Sequence, residues 1–274
     1  MKNTSQVLAM FAVALLTLIP ATDSCGQEPT YKGKSLTDWT GEMTLDNSKA
    51  VRDQAQEAIR QMGTNAIPFL MGELQALSDT DVTNYNTPTW QQRRFNLHNA
   101  FVALGPVAEP AIPSLTKLMN GDSCAACSAA HALAVIGPRG ISSLVKSLTN
   151  GPLVIRICIA GSLSEVGTNA SIALPALIEC TTYQSSQTEE SAALRGFSAS
   201  ALGDVGINNP ESVVPALVRC LQDKDYRIRF TAIRSIRQFG KRAQLAVPAL
   251  QQIEKTDQNQ EFRSLATALL EQIQ

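Results

Sequence analysis

Aromatic residues are scarce in this 274-residue chain, at 5%, histidine occurs only twice, and the formal net charge is −1. The shortage of aromatics, beside frequent Ala, Leu, Ile and Val, points away from a β-sandwich core and towards closely packed helices. The near-neutral charge removes any overall pull towards nucleic acid or anionic membranes, so electrostatic recognition has to be local. The sequence has no glycine-rich phosphate loop and no Gly-x-Ser-x-Gly elbow, which excludes the usual phosphate cradle and hydrolase nucleophile. What is there is a globular composition, 44% hydrophobic and 17% charged, rather than that of a disordered chain.

The N-terminus carries a positive Lys2, a largely apolar run from Val7 to Ile19 and a small, polar exit from Pro20 to Gly26. This order is that of a signal peptide, assigned to residues 1–24. The run is too short to span a bilayer, and the competing reading is a buried core helix. The expected location is therefore outside the cytoplasm, periplasmic or secreted. Cys25 directly follows the signal, and a lipid on it would change the address to membrane-anchored. Of the lipobox-like Thr22, Asp23 and Ser24 only Ser24 fits that pattern. Residues 25–34 read as a linker and 35–274 as one folded unit.

That unit repeats. Gly63, Gly105, Gly137, Gly167, Gly206 and Gly240 each end an apolar-periodic stretch, spaced 30 to 42 residues apart. A glycine just past a helix is the expected left-handed C-cap. Counting back one, four, five and eight residues from each glycine gives apolar or small residues throughout, as at Phe239, Ile236, Ser235 and Ala232. Those offsets form one stripe on a helix of 3.6 residues per turn. The next helix is opened by Pro68, Pro113, Pro175, Pro215 or Pro248, with Ser142 in the remaining place, and a leucine follows two positions later. Proline suits a first helical turn, where its missing N–H costs nothing. A first unit begins near Ser35, and a last one closes the chain with Ala266, Leu269, Leu270 and Ile273. Two long connections are expected, Ser78 to Gln91 and Thr181 to Glu190, where a solenoid places specificity.

Segments such as Pro215 to Asp223 and Tyr226 to Gly240 resemble HEAT repeats, in particular the short HEAT-like units named after phycobilisome lyases. The resemblance spans residues 35–274. It implies an all-α solenoid (superhelix) of about seven antiparallel helix pairs and, for function, a protein-binding scaffold. A phycobilin-lyase-like activity would rest on fold resemblance alone, and an export signal opposes a pigment-attaching role inside the cell. HEAT-repeat enzymes of the deoxyhypusine hydroxylase kind hold iron with His-Glu pairs. Here Asn99 follows His98 and Ala132 follows His131, so no metal and no cofactor is expected.

Eleven residues before the glycine position stands a ladder of arginines, Arg52, Arg94, Arg156, Arg195, Arg229 and Arg263, interrupted by Ala126. Spread one per repeat, they do not converge on a reaction centre. Each is expected in the first turn of the second helix of its pair, beside the carbonyl end of the first helix, where a cation is favoured. Cys124 and Cys127 form a Cys-x-x-Cys at a helix start. That motif leaves open a redox dithiol, a local disulfide or unreactive thiols. Cys180 and Cys220 take slots held elsewhere by Leu118 and Ile253 and read as small core residues, and with Cys158 the region after Cys25 has an odd number of thiols.

Between Arg219 and Arg242 eight cations face only Asp223 and Asp225, a local formal charge of +6. This suits an anionic partner at the C-terminal repeats, Arg234, Arg237, Lys241 and Arg242 included, or a solvated helix face. Export disfavours nucleic acid. On the second helices, offsets three, six and ten before the glycine point away from the core and are mostly small, which makes a smooth concave groove or reflects helix crowding. Phe95, His98, His131, Ile157 and Phe230 are the candidate groove contacts, with Arg234 and Arg237 as polar ones. The functional expectation is an exported, non-catalytic scaffold for a protein partner, touching a membrane only if Cys25 is lipidated. The other class is an exported enzyme or redox protein using Cys124 and Cys127.

Overall fold

The computed structural model describes residues 27–44, 46–78, 87–121, 125–183 and 188–273. The signal segment 1–24, Cys25, Cys124 and part of each expected long connection lie outside the described residues.

Helices α1 (Leu36–Gly41) and α2 (Lys49–Met62) make the first pair. Then come α3 (Ile67–Ser78) with α4 (Pro88–Leu104), α5 (Ile112–Met119) with α6 (Ala126–Ile136), and α7 (Pro138–Asn150) with α8 (Leu153–Val166). The last three pairs are α9 (Leu174–Cys180) with α10 (Glu189–Val205), α11 (Pro210–Cys220) with α12 (Tyr226–Arg237), and α13 (Val247–Thr256) with α14 (Gln260–Ile273). The second helices stack in series, α2 on α4, α4 on α6 and so on to α14. The fold is an all-α solenoid whose core runs continuously between the two layers of helices.

The stripe at offsets one, four, five and eight is buried in every unit that carries the glycine, except that Val166 is half-buried. Leu70, Leu115, Leu144, Leu177, Leu217 and Leu250 are at most 2% exposed. Each such leucine contributes about 1.5–3 kcal/mol by leaving water. No single pair could enclose it, so burial depends on the neighbouring pair.

Four expectations about local structure change. Gly63 and Gly167 have φ of 59° and 63°, but their ψ values are −142° and −138°. This lies outside the left-handed helical well, in the mirror image of the extended region, which only glycine enters readily. Gly206 departs further, with φ −95°, and is small because a Cβ there would meet Val213 Cγ2 at 2.4 Å. Pro68, Pro113, Pro175 and Pro248 are the second residues of their helices, after a 3-10 turn from the glycine. Pro215, however, lies inside α11, which begins at Pro210, and Ser142 lies inside α7, which begins at Pro138. In both units a helical turn replaces the 3-10 link. The expected loop to Gln91 also ends early, because Thr87 accepts a hydrogen bond from the Trp90 N–H and caps α4 four residues sooner.

Residues 27–34 of the segment read as a linker are structured. Strands β1 (Thr30–Tyr31) and β2 (Lys34–Ser35) pair antiparallel. Trp39 Nε1 donates to the Tyr31 carbonyl at 3.0 Å, and Lys34 sits over the indole. Ser35 and Asp38 form a reciprocal capping box at the start of α1. This hairpin covers one end of the stack. At the other, Lys255, Gln258, Gln260 and Glu261 are exposed, as a terminal repeat requires.

Candidate functional site

The arginine ladder lies against turn carbonyls. Arg156 Nε donates to Leu148 O at 2.6 Å, Arg229 Nη1 to Asp223 O at 3.1 Å and Arg263 Nη1 to Asp257 O at 2.6 Å. Arg52 donates to Asn47 O, and Arg195 Nη1 to Tyr183 O at 3.2 Å. Leu148 lies in the last turn of the preceding helix, and Tyr183, Asp223 and Asp257 lie within three residues of the end of theirs, where carbonyls lack helical partners, whereas Asn47 directly precedes the N-cap of α2. Arg94 and Arg195 are not in first turns: they are the seventh residues of α4 and α10, whose extra N-terminal turn follows the long insertions. Arg94 instead stacks over Trp90 and donates from Nε to Ser128 Oγ at 3.3 Å.

Cys127 is bonded to Cys158, not to Cys124. The three-residue spacing in sequence was misleading, because stacking of α6 on α8 brings a thiol of the next repeat to the one in α6. A redox dithiol of Cys124 and Cys127 loses its second member. Cys180 and Cys220 are buried thiols. Burial raises the Cys180 pKa and pushes that of Cys220 up to about 11, so neither is a nucleophile near neutral pH.

The remaining candidates line separate clefts on the face formed by the second helices. Phe95, His98 and His131 line a cleft of about 300 Å³ with Glu165. Phe230 lies in another, between α12 and α14, with Phe262 and Leu265. A third cleft, about 600 Å³, lies between α10 and α12. Gly196, Phe197 and Ile228 line its apolar part and Arg234, Gln238, Asp204 and Glu189 its polar part. Ile157 is half-buried against the core. Gly161 and Gly196 leave a Cβ at ordinary contact distance, whereas at Gly203 a Cβ would meet Ser235 and Gln238 at 2.9 Å. The small-residue face is thus crowded at one point and open at others.

Of the cations in the C-terminal segment, Arg227 is held by Asp225 and Glu189, and Arg229 by carbonyls and the Phe262 ring. Arg234, Arg237, Lys241 and Arg242 are exposed, and only Arg234 of these lines the cleft between α10 and α12.

Two imidazoles and a carboxylate come together from three successive repeats. His98 on α4, His131 on α6 and Glu165 on α8 bring one ligand atom each within 4.8 Å of one another. His131 Nδ1 lies 3.1 Å from Glu165 Oε2, and the two imidazoles meet edge to face at 5.7 Å. Burial, then the nearby His131, lowers the His98 pKa, while the hydrogen bond from His131 lowers that of Glu165.

Residues 184–271 match the family model of HEAT repeats. That stretch of the solenoid is built of HEAT repeats. Kap121p bound to Ste12p aligns with 87% of the chain and 29% of its own at 14% identity, with a TM-score of 0.53. The CpcE and CpcF complex of phycocyanin lyase from Nostoc sp. covers 58% of the chain and 98% of its own at 20% identity, with a TM-score of 0.47. A structure described by the phosphorylation-controlled interaction of cadherin with beta-catenin covers 88% and 52% at 14% identity, with a TM-score of 0.43. No match is found among curated proteins.

The offsets chosen from the sequence missed Glu165, Asp204 and Phe197 of the solenoid. Glu165 and Asp204 stand two residues before Gly167 and Gly206, one turn after the offset-six position, and so share its face. Asp204 accepts hydrogen bonds from Ser164 on α8 and from Gln238 on α12 at 3.0 Å, tying three units together. Extending the offset-six column by four residues would have found both carboxylates.

Proposed function

We propose that this solenoid is a non-catalytic scaffold that takes a segment of a protein partner in the cleft between α10 and α12. The observation that carries the reading is the cleft itself: about 600 Å³, open, with Phe197 49% exposed at its apolar wall and Arg234 exposed on its rim. A half-exposed aromatic beside an unburied arginine is the composition of an interface anchor. The same fold carries a bound protein in Kap121p with Ste12p. The solenoid offers repeated parallel grooves, so an extended partner reaches more than one.

Export belongs to the same proposal. The Cys127–Cys158 disulfide supports it, because structural disulfides persist in oxidising compartments. An acidic stretch in the partner would pair with Arg234, Arg237, Lys241 and Arg242.

Affinity capture with the full chain from exported fractions, read by mass spectrometry, is compared with capture by Phe197→Ser and Arg234→Glu. A partner retained by the wild type and lost by both variants, with unchanged circular dichroism, supports the cleft. A partner retained equally by all three refutes it. Retention that does not weaken between low and high salt refutes the acidic pairing.

A further inference from the structure

The chain's two histidines stand on different repeats, 33 residues apart in sequence, yet share one cleft with a carboxylate from a third repeat. We propose that His98, His131 and Glu165 bind a single divalent first-row transition cation of the Zn²⁺ class. Two imidazole nitrogens and one carboxylate oxygen are a borderline donor set that suits such an ion and leaves the fourth tetrahedral position open. At bond lengths near 2.0–2.1 Å, ligand atoms of a tetrahedral site lie ~3.4 Å apart. His131 Nδ1 and Glu165 Oε2 already stand at 3.1 Å. All three ligand atoms lie within 4.8 Å, so a rotation of His98 about its side-chain bonds closes the set without moving a helix.

The scaffold holds this geometry. Cys127 is one turn before His131 on α6, Cys158 is two turns before Glu165 on α8, and the disulfide clamps those two helices together on the same face. Arg94 is the opposing charge. Its guanidinium is turned onto Trp90 and donates to Ser128 rather than to Glu165. The carboxylate thus remains available, and one cation in the cleft weakens the affinity of the site without abolishing it. The fourth position faces the cleft lined by Gln91 and Phe95, where water completes the coordination.

The test uses the full, oxidised chain after chelator treatment, titrated with ZnCl₂ in a calorimeter near neutral pH. One ion per chain is expected, with MgCl₂ and CaCl₂ giving no comparable binding because those ions require oxygen cages. His98→Ala, His131→Ala and Glu165→Gln should each weaken Zn²⁺ binding by more than ~10-fold, while Cys124→Ser leaves it unchanged. Glu165→Gln preserves side-chain shape and carries the test if a histidine variant does not fold. Wild-type affinity in the folded variants, loss of binding in Cys124→Ser, or no binding by the wild type would overturn the assignment.

Discussion

Arg195→Ala is the perturbation whose cost the structure defines best. Arg195 is 5% exposed and forms a bidentate pair with Asp223, Nε to Oδ2 at 2.7 Å and Nη2 to Oδ1 at 3.2 Å. Its Nη1 also donates to the Tyr183 carbonyl at 3.2 Å and to Ser191 Oγ at 3.3 Å. Truncation leaves a mostly buried carboxylate without its cation, removes one donor each from the Tyr183 carbonyl and Ser191 Oγ, and opens a void the size of a guanidinium. Removing one partner of a buried pair costs ~3–5 kcal/mol, far more than a surface pair. In a unit of this size ~1 kcal/mol shifts Tm by ~2–4 °C, so the expected fall is ~6–20 °C in a thermal melt followed by circular dichroism. The control is the double variant Arg195→Met with Asp223→Asn. It removes both charges and keeps the oxygen that accepts the Asp225 N–H at 2.9 Å. Most of the loss should return, since the cost lies in the stranded charge. A single variant melting within ~2 °C of wild type, or a double variant no better than the single, would refute the reasoning.

Reduction of Cys127–Cys158 opens a loop set by a sequence separation of 31, which in the chain-entropy view removes ~3–4 kcal/mol. Melts with and without reductant should show the loss, Cys127→Ser should abolish the difference, and non-reducing peptide mapping should find those two cysteines joined. Asp225 caps α12 and is gripped by Arg227, whose side-chain hydrogen bonds hold its pKa below 3.8. A lowered carboxylate contributes its stability above the unfolded value and loses it as pH falls through the folded one. Asp225→Asn should therefore be less stable than wild type in urea at neutral pH, with the gap shrinking as pH falls below 3.8; a constant gap would count against the pairing.

Much of the architecture follows from one-dimensional spacing. The stripe at offsets one, four, five and eight is buried because any helix of 3.6 residues per turn puts those positions on one face. Leucines two after the proline are buried for the same reason. These properties are local, and so is the glycine requirement, although the conformation at Gly63 and Gly167 differs from the left-handed cap that local rules suggest.

The site was less legible, because its members come from different repeats. Nothing near Cys127 announces Cys158, and nothing near His98 announces Glu165. Those pairings depend on the rotation and rise of each repeat relative to the last, which packing across the helix interfaces sets and local propensity does not. Spacing along the chain determined the repeating helix pairs, the core face and the arginine ladder. Stacking alone decided the disulfide, the cleft between α10 and α12 and the meeting of two imidazoles with a carboxylate, because each is a contact between neighbouring repeats.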